Sequence, residues 1–238
     1  MSKRMILIAV AVLGVLSLLV PTSRGQAQAS PVPQMNTNVT FQVIIGAALS
    51  GNVDVWLDGA ITKATNVKPL NASGFVVTTS GSHTITLTDT GTNTQVGTAE
   101  PVNLAALSDT SVALLPDMTW TTIADLGVSP LAGQATAQVI NLSPNTTPVD
   151  VTIDGAVPAT FLGTAYPLAS ASYLAIPAGS HVVSIPGSMA APVTHYFQSV
   201  HVYSILIFWD PANSLPKILV STEFSFTKQF YIPMGFKE

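Results

Sequence analysis

Two Ser-His dipeptides, Ser82-His83 and Ser180-His181, set a nucleophile type beside a base type and recur in similar surroundings. Hydrolysis by such a pair needs the imidazole within hydrogen-bond reach of the hydroxyl. Neighbours on a strand project to opposite faces, so these side chains diverge and read as strand-entry positions. No G-x-S-x-G elbow and no H-E-x-x-H stretch occurs in the chain. His195 and His201 form a second pair with ligand chemistry. Six residues apart on one extended strand, they would stand roughly 20 Å from each other, too far to share a zinc ion. Asp54 and Asp58, matched by Asp150 and Asp154, offer carboxylate oxygens. Calcium takes about 6 to 8 oxygens, and two carboxylates ~13 Å apart along a strand supply too few. The second Asp of each pair suits the shaping of a turn. With no Cys among 238 residues, a disulfide scaffold, a four-thiolate zinc site, an iron–sulfur cluster and a thiol nucleophile are excluded. No catalytic residue, metal ligand or cofactor site is expected.

What remains is aromatic. In Val53-Asp54-Val55-Trp56-Leu57-Asp58-Gly59 the apolar residues alternate with Asp54, Trp56 and Asp58, so Trp56 points outward between two carboxylates. An exposed Trp there can stack on a sugar face or on a partner protein; the alternative is packing under a loop or against a neighbouring module. Trp56, Asp54 and Asp58 are the candidate ligand or partner contacts. Trp120 and Trp209 sit in less regular contexts and are expected to fill module ends.

The elements that carry these residues are strands, and they come in two sets. Gln42-Val43-Ile44 and Gln138-Val139-Ile140 are followed at equal distances by Val53 to Gly59 and Val149 to Gly155, an offset of 96. Gly81 to Leu87 matches Gly179 to Ile185 at an offset of 98, so the first copy is two residues shorter in between. Each copy spans roughly 90 residues, enough for its own core. Asp58-Gly59 and Asp154-Gly155 are tight-hairpin dipeptides. Further strands are expected at Val39 to Ile45, Phe75 to Thr79, Thr84 to Thr88, Ser111 to Leu115, Ala137 to Ile140, Val182 to Ile185 and His201 to Phe208. Short strands separated by Gly, Pro, Asn and Ser turns read as β-sandwiches. The stretch Asp117 to Gln134 carries the connection, although Thr119 to Ala124 equally suits a last strand of the first copy.

Gln138-Val139-Ile140-Asn141-Leu142-Ser143-Pro144, Pro148-Val149-Asp150-Val151, Asp154-Gly155 and Tyr173-Leu174-Ala175-Ile176-Pro177-Ala178-Gly179-Ser180 together resemble the secreted bacterial domain-of-unknown-function family 4397. Its pattern runs R-V-x-H-A-S-P, P-x-V-D-V-Y-x-x-G, then Y-x-x-L-P-A-G. The resemblance covers two tandem copies from about Val39 to Asp210. The first is degenerate, with Ile45-Gly46-Ala47-Ala48 in place of H-A-S-P; in the second, Asn141 stands where the family has His. It implies a secreted Ig-like sandwich and brings no established activity.

Lys3 and Arg4 precede an uncharged run from Met5 to Val20, and Ala27-Gln28-Ala29 has the small-x-small form of a signal cleavage site. A membrane anchor is the alternative, but the run spans only about 24 Å as a helix against a ~30 Å hydrocarbon core. Cleavage before Ser30 would remove Lys3, Arg4 and Arg24, leaving five lysines against twelve acidic residues, a net of −7. That excludes the basic footprint of a nucleic-acid binder and attraction to an anionic membrane surface. Sequons at Asn38, Asn71, Asn141 and Asn145 matter only where glycosylation machinery exists.

The expected organisation is all-β: a signal peptide over 1–29, a leader over 30–37, and two tandem Ig-like antiparallel β-sandwich modules over 38–133 and 134–238. The second ends in an alternating segment with Phe224, Phe226, Phe230 and Ile232 on one face, interrupted by Lys228. That strand pairs either within its own module or with a second copy, making a homo-oligomer. The expected function is that of a secreted, non-enzymatic structural or adhesive protein of the cell envelope or extracellular space. The alternatives are a carbohydrate-binding module for extracellular polysaccharide and, third, an enzyme whose residues converge only in space. Other envelope proteins are possible partners; no stable membrane span is expected after cleavage.

Overall fold

A computed structural model describes residues 38–106, 109–124, 128–144, 148–170 and 172–225. The leader and cleavage site lie outside them. The first half contains β1 (Asn38–Ile45), β2 (Val53–Leu57), β3 (Ala60–Ile61), β4 (Asn71–Ala72), β5 (Val76–Thr79), β6 (Gly81–Asp89), β7 (Gln95–Leu104), β8 (Asp109–Leu114) and β9 (Trp120–Ala124). The second contains β10 (Gln134–Leu142), β11 (Thr152–Ile153), a 3-10 turn (Ala159–Phe161), β12 (Leu168–Ala169), β13 (Leu174–Pro177), β14 (Gly179–Ser184), β15 (Val193–Phe197), β16 (His201–Asp210) and β17 (Leu215–Ser225). The segment Thr119 to Ala124 resolves as β9, paired with β8.

Each half repeats one topology. An outer sheet, β3-β2-β6-β7 in the first half and β11-β14-β15 in the second, faces an inner sheet, β4-β1-β8-β9 and β12-β10-β16-β17, with β5 and β13 also on β1 and β10. The architecture is the expected all-β sandwich, with one departure from a purely antiparallel pattern: β1 runs parallel to β8, and β10 parallel to β16. Both hairpins turn on Asp-Gly as expected. Asp58 and Gly59 have φ of 52° and 78°, and Asp154 and Gly155 have 53° and 82°. Two successive positive φ values give the turn whose twist matches that of the flanking strands.

Side-chain parity divides the core into three layers. On β1, Val39, Phe41, Val43 and Ile45 face the first sandwich core together with Val53, Val55, Ile85, Leu87, Val112 and Leu114. On β10, Ala135, Ala137 and Val139 face the second, with Val151, Phe161, Phe197, Tyr203, Ile205 and Ile207. The opposite parity of the same strands forms a third cluster that joins the halves: Ile44, Ala113 and Leu115 from the first, Ile140, Leu142, Leu206 and Phe208 from the second. The inner sheets are thus buried on both faces, which is why β1, β10 and β16 read as nearly continuous apolar runs.

At the polar end of this seam Gln42 donates to Ser111 Oγ at 3.2 Å, and its counterpart Gln138 donates to Glu223 Oε1 at 2.7 Å. Glu223 also accepts from the hydroxyls of Tyr173 and Ser204 and is only 3% exposed. Three donors satisfy a carboxylate that burial alone would penalise.

The described part of the C-terminal strand takes the first of the two pairings expected for it, the one within its own module. It begins at Leu215 and runs antiparallel to β16 of its own chain, with Phe224 opposite Val202, so its described part closes the second inner sheet. The register slips between Val202 and Tyr203, leaving Glu223 as the extra residue, and Glu223 is buried on the face that carries Gln138 and Ser204. Phe226, Phe230 and Ile232 lie outside the described residues.

Candidate functional site

Trp56 projects from the outer sheet of the first half. Its register partners are Thr86 on β6 and Ile61 on β3, which places all three on one face. The indole N–H donates to Thr88 Oγ1 at 2.9 Å, fixing the ring, and the residue stays partly exposed. Beside it opens a groove of ≈ 290 Å³ lined by Trp56, Gly59, Thr86, Thr88, Asn93 and Gln95. The scaffold does not need this ring. In the second half Thr152 occupies the equivalent position, buried and bonded to Ser184 Oγ at 2.6 Å. A flat aromatic surface bordered by hydroxyls and amides is suited to the apolar face and the hydroxyl rim of a sugar.

The two carboxylates expected beside Trp56 are occupied elsewhere. Asp54 is 5% exposed and accepts from Asn66 N–H at 2.8 Å, Thr90 Oγ1 at 3.1 Å and Gly91 N–H at 3.1 Å. Burial pushes its pKa up, and the hydrogen bonds from Asn66, Gly91 and Thr90 outweigh it, so the carboxyl sits below its ordinary value. Asp54 therefore braces the two loops that flank the sheet. Asp58 reaches across to the next strand, accepting from His83 Nδ1 at 2.7 Å and Thr84 N–H at 2.8 Å. The bond from His83, then that from Thr84, lowers its pKa.

His83 in turn places Nε2 2.8 Å from the carbonyl oxygen of Thr79. Each ring nitrogen faces an oxygen that can only accept, which favours the doubly protonated ring. The bond to Asp58 raises its pKa against the opposing effect of burial, and the Thr79 carbonyl adds to the rise. His181 repeats the arrangement with Asp154 Oδ2 at 2.6 Å and the Pro177 carbonyl at 2.9 Å. Both Ser-His dipeptides are thus staples that tie a hairpin to the following strand, with no ring nitrogen left over to act on the adjacent serine.

His195 and His201 sit on β15 and β16, with the chain turning between them, so the separation computed for a single strand does not apply. His195 pairs in register with His181 and packs edge-on to Phe197 and Tyr203, with ring centres 5.0 and 5.1 Å away. Burial lowers its pKa. His201 stacks on Tyr203 and donates from Nδ1 to the Ser199 carbonyl at 2.8 Å. Among the described residues no group of three or more His, Asp or Glu side chains is placed to hold a metal ion. Among the other tryptophans, Trp120 packs against the first core and donates to the Thr98 carbonyl at 3.1 Å.

Thr86, Thr88, Asn93 and Gln95 are the groove residues that the sequence does not single out. The alternation of Thr84, Thr86 and Thr88 signals a polar strand face, but only the β2–β6 register brings that face beside Trp56.

Residues 39–152 match the family described as Domain of unknown function (DUF4397). The match spans the first half and continues through β10 to Thr152. No curated protein matches the chain. Among solved structures, the chain is similar to a family 26 carbohydrate-binding module of Amy13K from Eubacterium rectale, solved with maltoheptaose, at 11% identity, TM-score 0.29, covering 79% of this chain and 97% of that one. It is also similar to a leucine-rich repeat protein from Bacteroides thetaiotaomicron at 14% identity, TM-score 0.21, covering 71% and 25%. TM-scores this low carry no inference about function.

Proposed function

We propose that the protein is an exported, non-enzymatic binding module of the cell envelope or extracellular space that adheres through a saccharide stacked on Trp56. The observation that carries this reading is the partly exposed indole, bonded to Thr88 beside a groove of ≈ 290 Å³ and absent from the equivalent site of the second half. Because the indole N–H is already bonded to Thr88, the ring offers its face and not its donor. Hydrogen bonds to sugar hydroxyls then fall to Thr86, Asn93 and Gln95. Export follows from the N-terminal charge, apolar run and Ala27-Gln28-Ala29 pattern.

Affinity electrophoresis through gels containing a panel of soluble polysaccharides tests the reading. At least one polysaccharide is expected to retard the protein, and Trp56→Ala is expected to abolish the retardation while leaving the melting temperature within a few degrees. No retardation by any polysaccharide, or retardation unchanged by the substitution, overturns it.

A further inference from the structure

The two halves differ most where one flank of each sandwich is closed. Backbone hydrogen bonds fix the equivalence: Val55 N–H donates to the Ala64 carbonyl as Val151 N–H donates to the Phe161 carbonyl. Phe161 is fully buried in the second core, carried inward by the 3-10 turn. The first half places its ring on β1 instead, as Phe41, where the second half has Ala137. Both cores receive a phenylalanine, but from different sides. The flank of the first half carries a groove of ≈ 500 Å³ whose apolar lining is Leu57, Ala60, Ile61, Phe75, Val76 and Val77, with Thr62 and Lys63 also on its wall. Ile61 is 52% and Val77 61% exposed, on the edge strands β3 and β5. Exposed apolar side chains along two sheet edges mark a place where another segment can lie.

The end of β17 comes to this flank. Glu223 and Phe75 line one small cavity together with Gln138 and Ser111, and Phe75 is also a wall of the groove. Residues 226–238 follow Ser225, can reach about 40 Å when extended, and carry Phe226, Phe230, Tyr231, Ile232 and Phe236. We propose that the groove of the first half is a docking site for the segment 226–238 of the same chain, whose apolar side chains cover Ile61 and Val77 on the two edge strands. The proposal is independent of the saccharide reading.

The chain has no cysteine, so an introduced pair reports proximity without background. Full-length protein carrying Val77→Cys and Gln229→Cys is compared with one carrying Leu131→Cys and Gln229→Cys. Leu131 is 70% exposed and lies near the start of β16, which pairs with the end of β17, so it samples undocked collisions. A docked segment raises the effective concentration of its thiol above the ~mM level of a free tether. The Val77 pair is therefore expected to form its intrachain disulfide about tenfold faster or more, and adding Ile61→Asp is expected to return the rate to that of the Leu131 pair. Equal rates for the two pairs, a rate indifferent to Ile61→Asp, or a disulfide formed only between chains overturns the proposal, the last by assigning the groove to a second copy.

Discussion

Phe208→Ala removes a fully buried ring from the layer that joins the inner sheets, where Phe208 packs with Ile44, Leu115, Leu142 and Leu206. Truncating a buried Phe costs about 3 to 5 kcal/mol, the transfer term plus the cavity left by incomplete relaxation. For a cooperative unit of this size, each kcal/mol shifts the melting temperature by roughly 2 to 4 °C, giving a fall of ~6 to 20 °C. The ring belongs to the second half by sequence but touches residues of both, so the shift is expected in the unfolding of both. Differential scanning calorimetry should show a single transition that moves as a whole, while Phe161→Ala, confined to the second core, should move the same transition by a similar amount. Two transitions in the wild type, with Phe208→Ala shifting one and sparing the other, would refute the reasoning that the third apolar layer makes the halves one folding unit.

The Asp58–His83 staple gives a pH signature. The raised pKa of His83 means its contribution is fully present below the ordinary imidazole value and lost as pH rises through the folded one, and the lowered pKa of Asp58 means its contribution is lost as pH falls through the folded carboxyl value. The melting-temperature deficit of His83→Ala should therefore be largest near pH 5 to 6 and shrink toward pH 9 (about the range set by ordinary Asp and His values); proton-coupled NMR titration should find His83 above and His195 below the usual imidazole pKa. Asn141 is fully buried, donating to the Thr164 carbonyl and accepting from Ser143 N–H. Its sequon should stay unglycosylated in a host that glycosylates exposed sites, as read by mass spectrometry, and Asn141→Ala should destabilise by about 1 to 3 kcal/mol in denaturant titration.

Period-two alternation and the two Asp-Gly turns were legible because both are local: the alternation follows from strand geometry and the turns from residues that tolerate positive φ. The repeat was legible as an offset, and the structure gives it as one topology used twice. What the linear pattern does not carry is pairing. The runs Phe41 to Ile45 and Ala137 to Leu142 carry apolar residues at both parities, broken only by Gln42, Gln138 and Asn141, a sign of burial on both faces that points to the seam between inner sheets, yet a strand read alone does not say what covers its second face. The bulge at Glu223 shifts the pairing register by one residue within a segment whose sequence alternates without a break. At the candidate site, Trp56 was visible from its outward parity, whereas the roles of Asp54 and Asp58 in bracing loops and hairpin were not, because their partners, Asn66, Gly91, His83 and Thr84, are distant in sequence.

The claim that Trp56 is the saccharide platform is tested most directly by the indole N–H resonances of Trp56, Trp120 and Trp209 in a 15N-labelled sample, titrated with oligosaccharides from whichever polysaccharide retards the protein. The account predicts that the Trp56 resonance moves saturably while those of Trp120 and Trp209 stay in place. A saturable shift at Trp120 or Trp209 with Trp56 unmoved, or no shift at any indole, contradicts it.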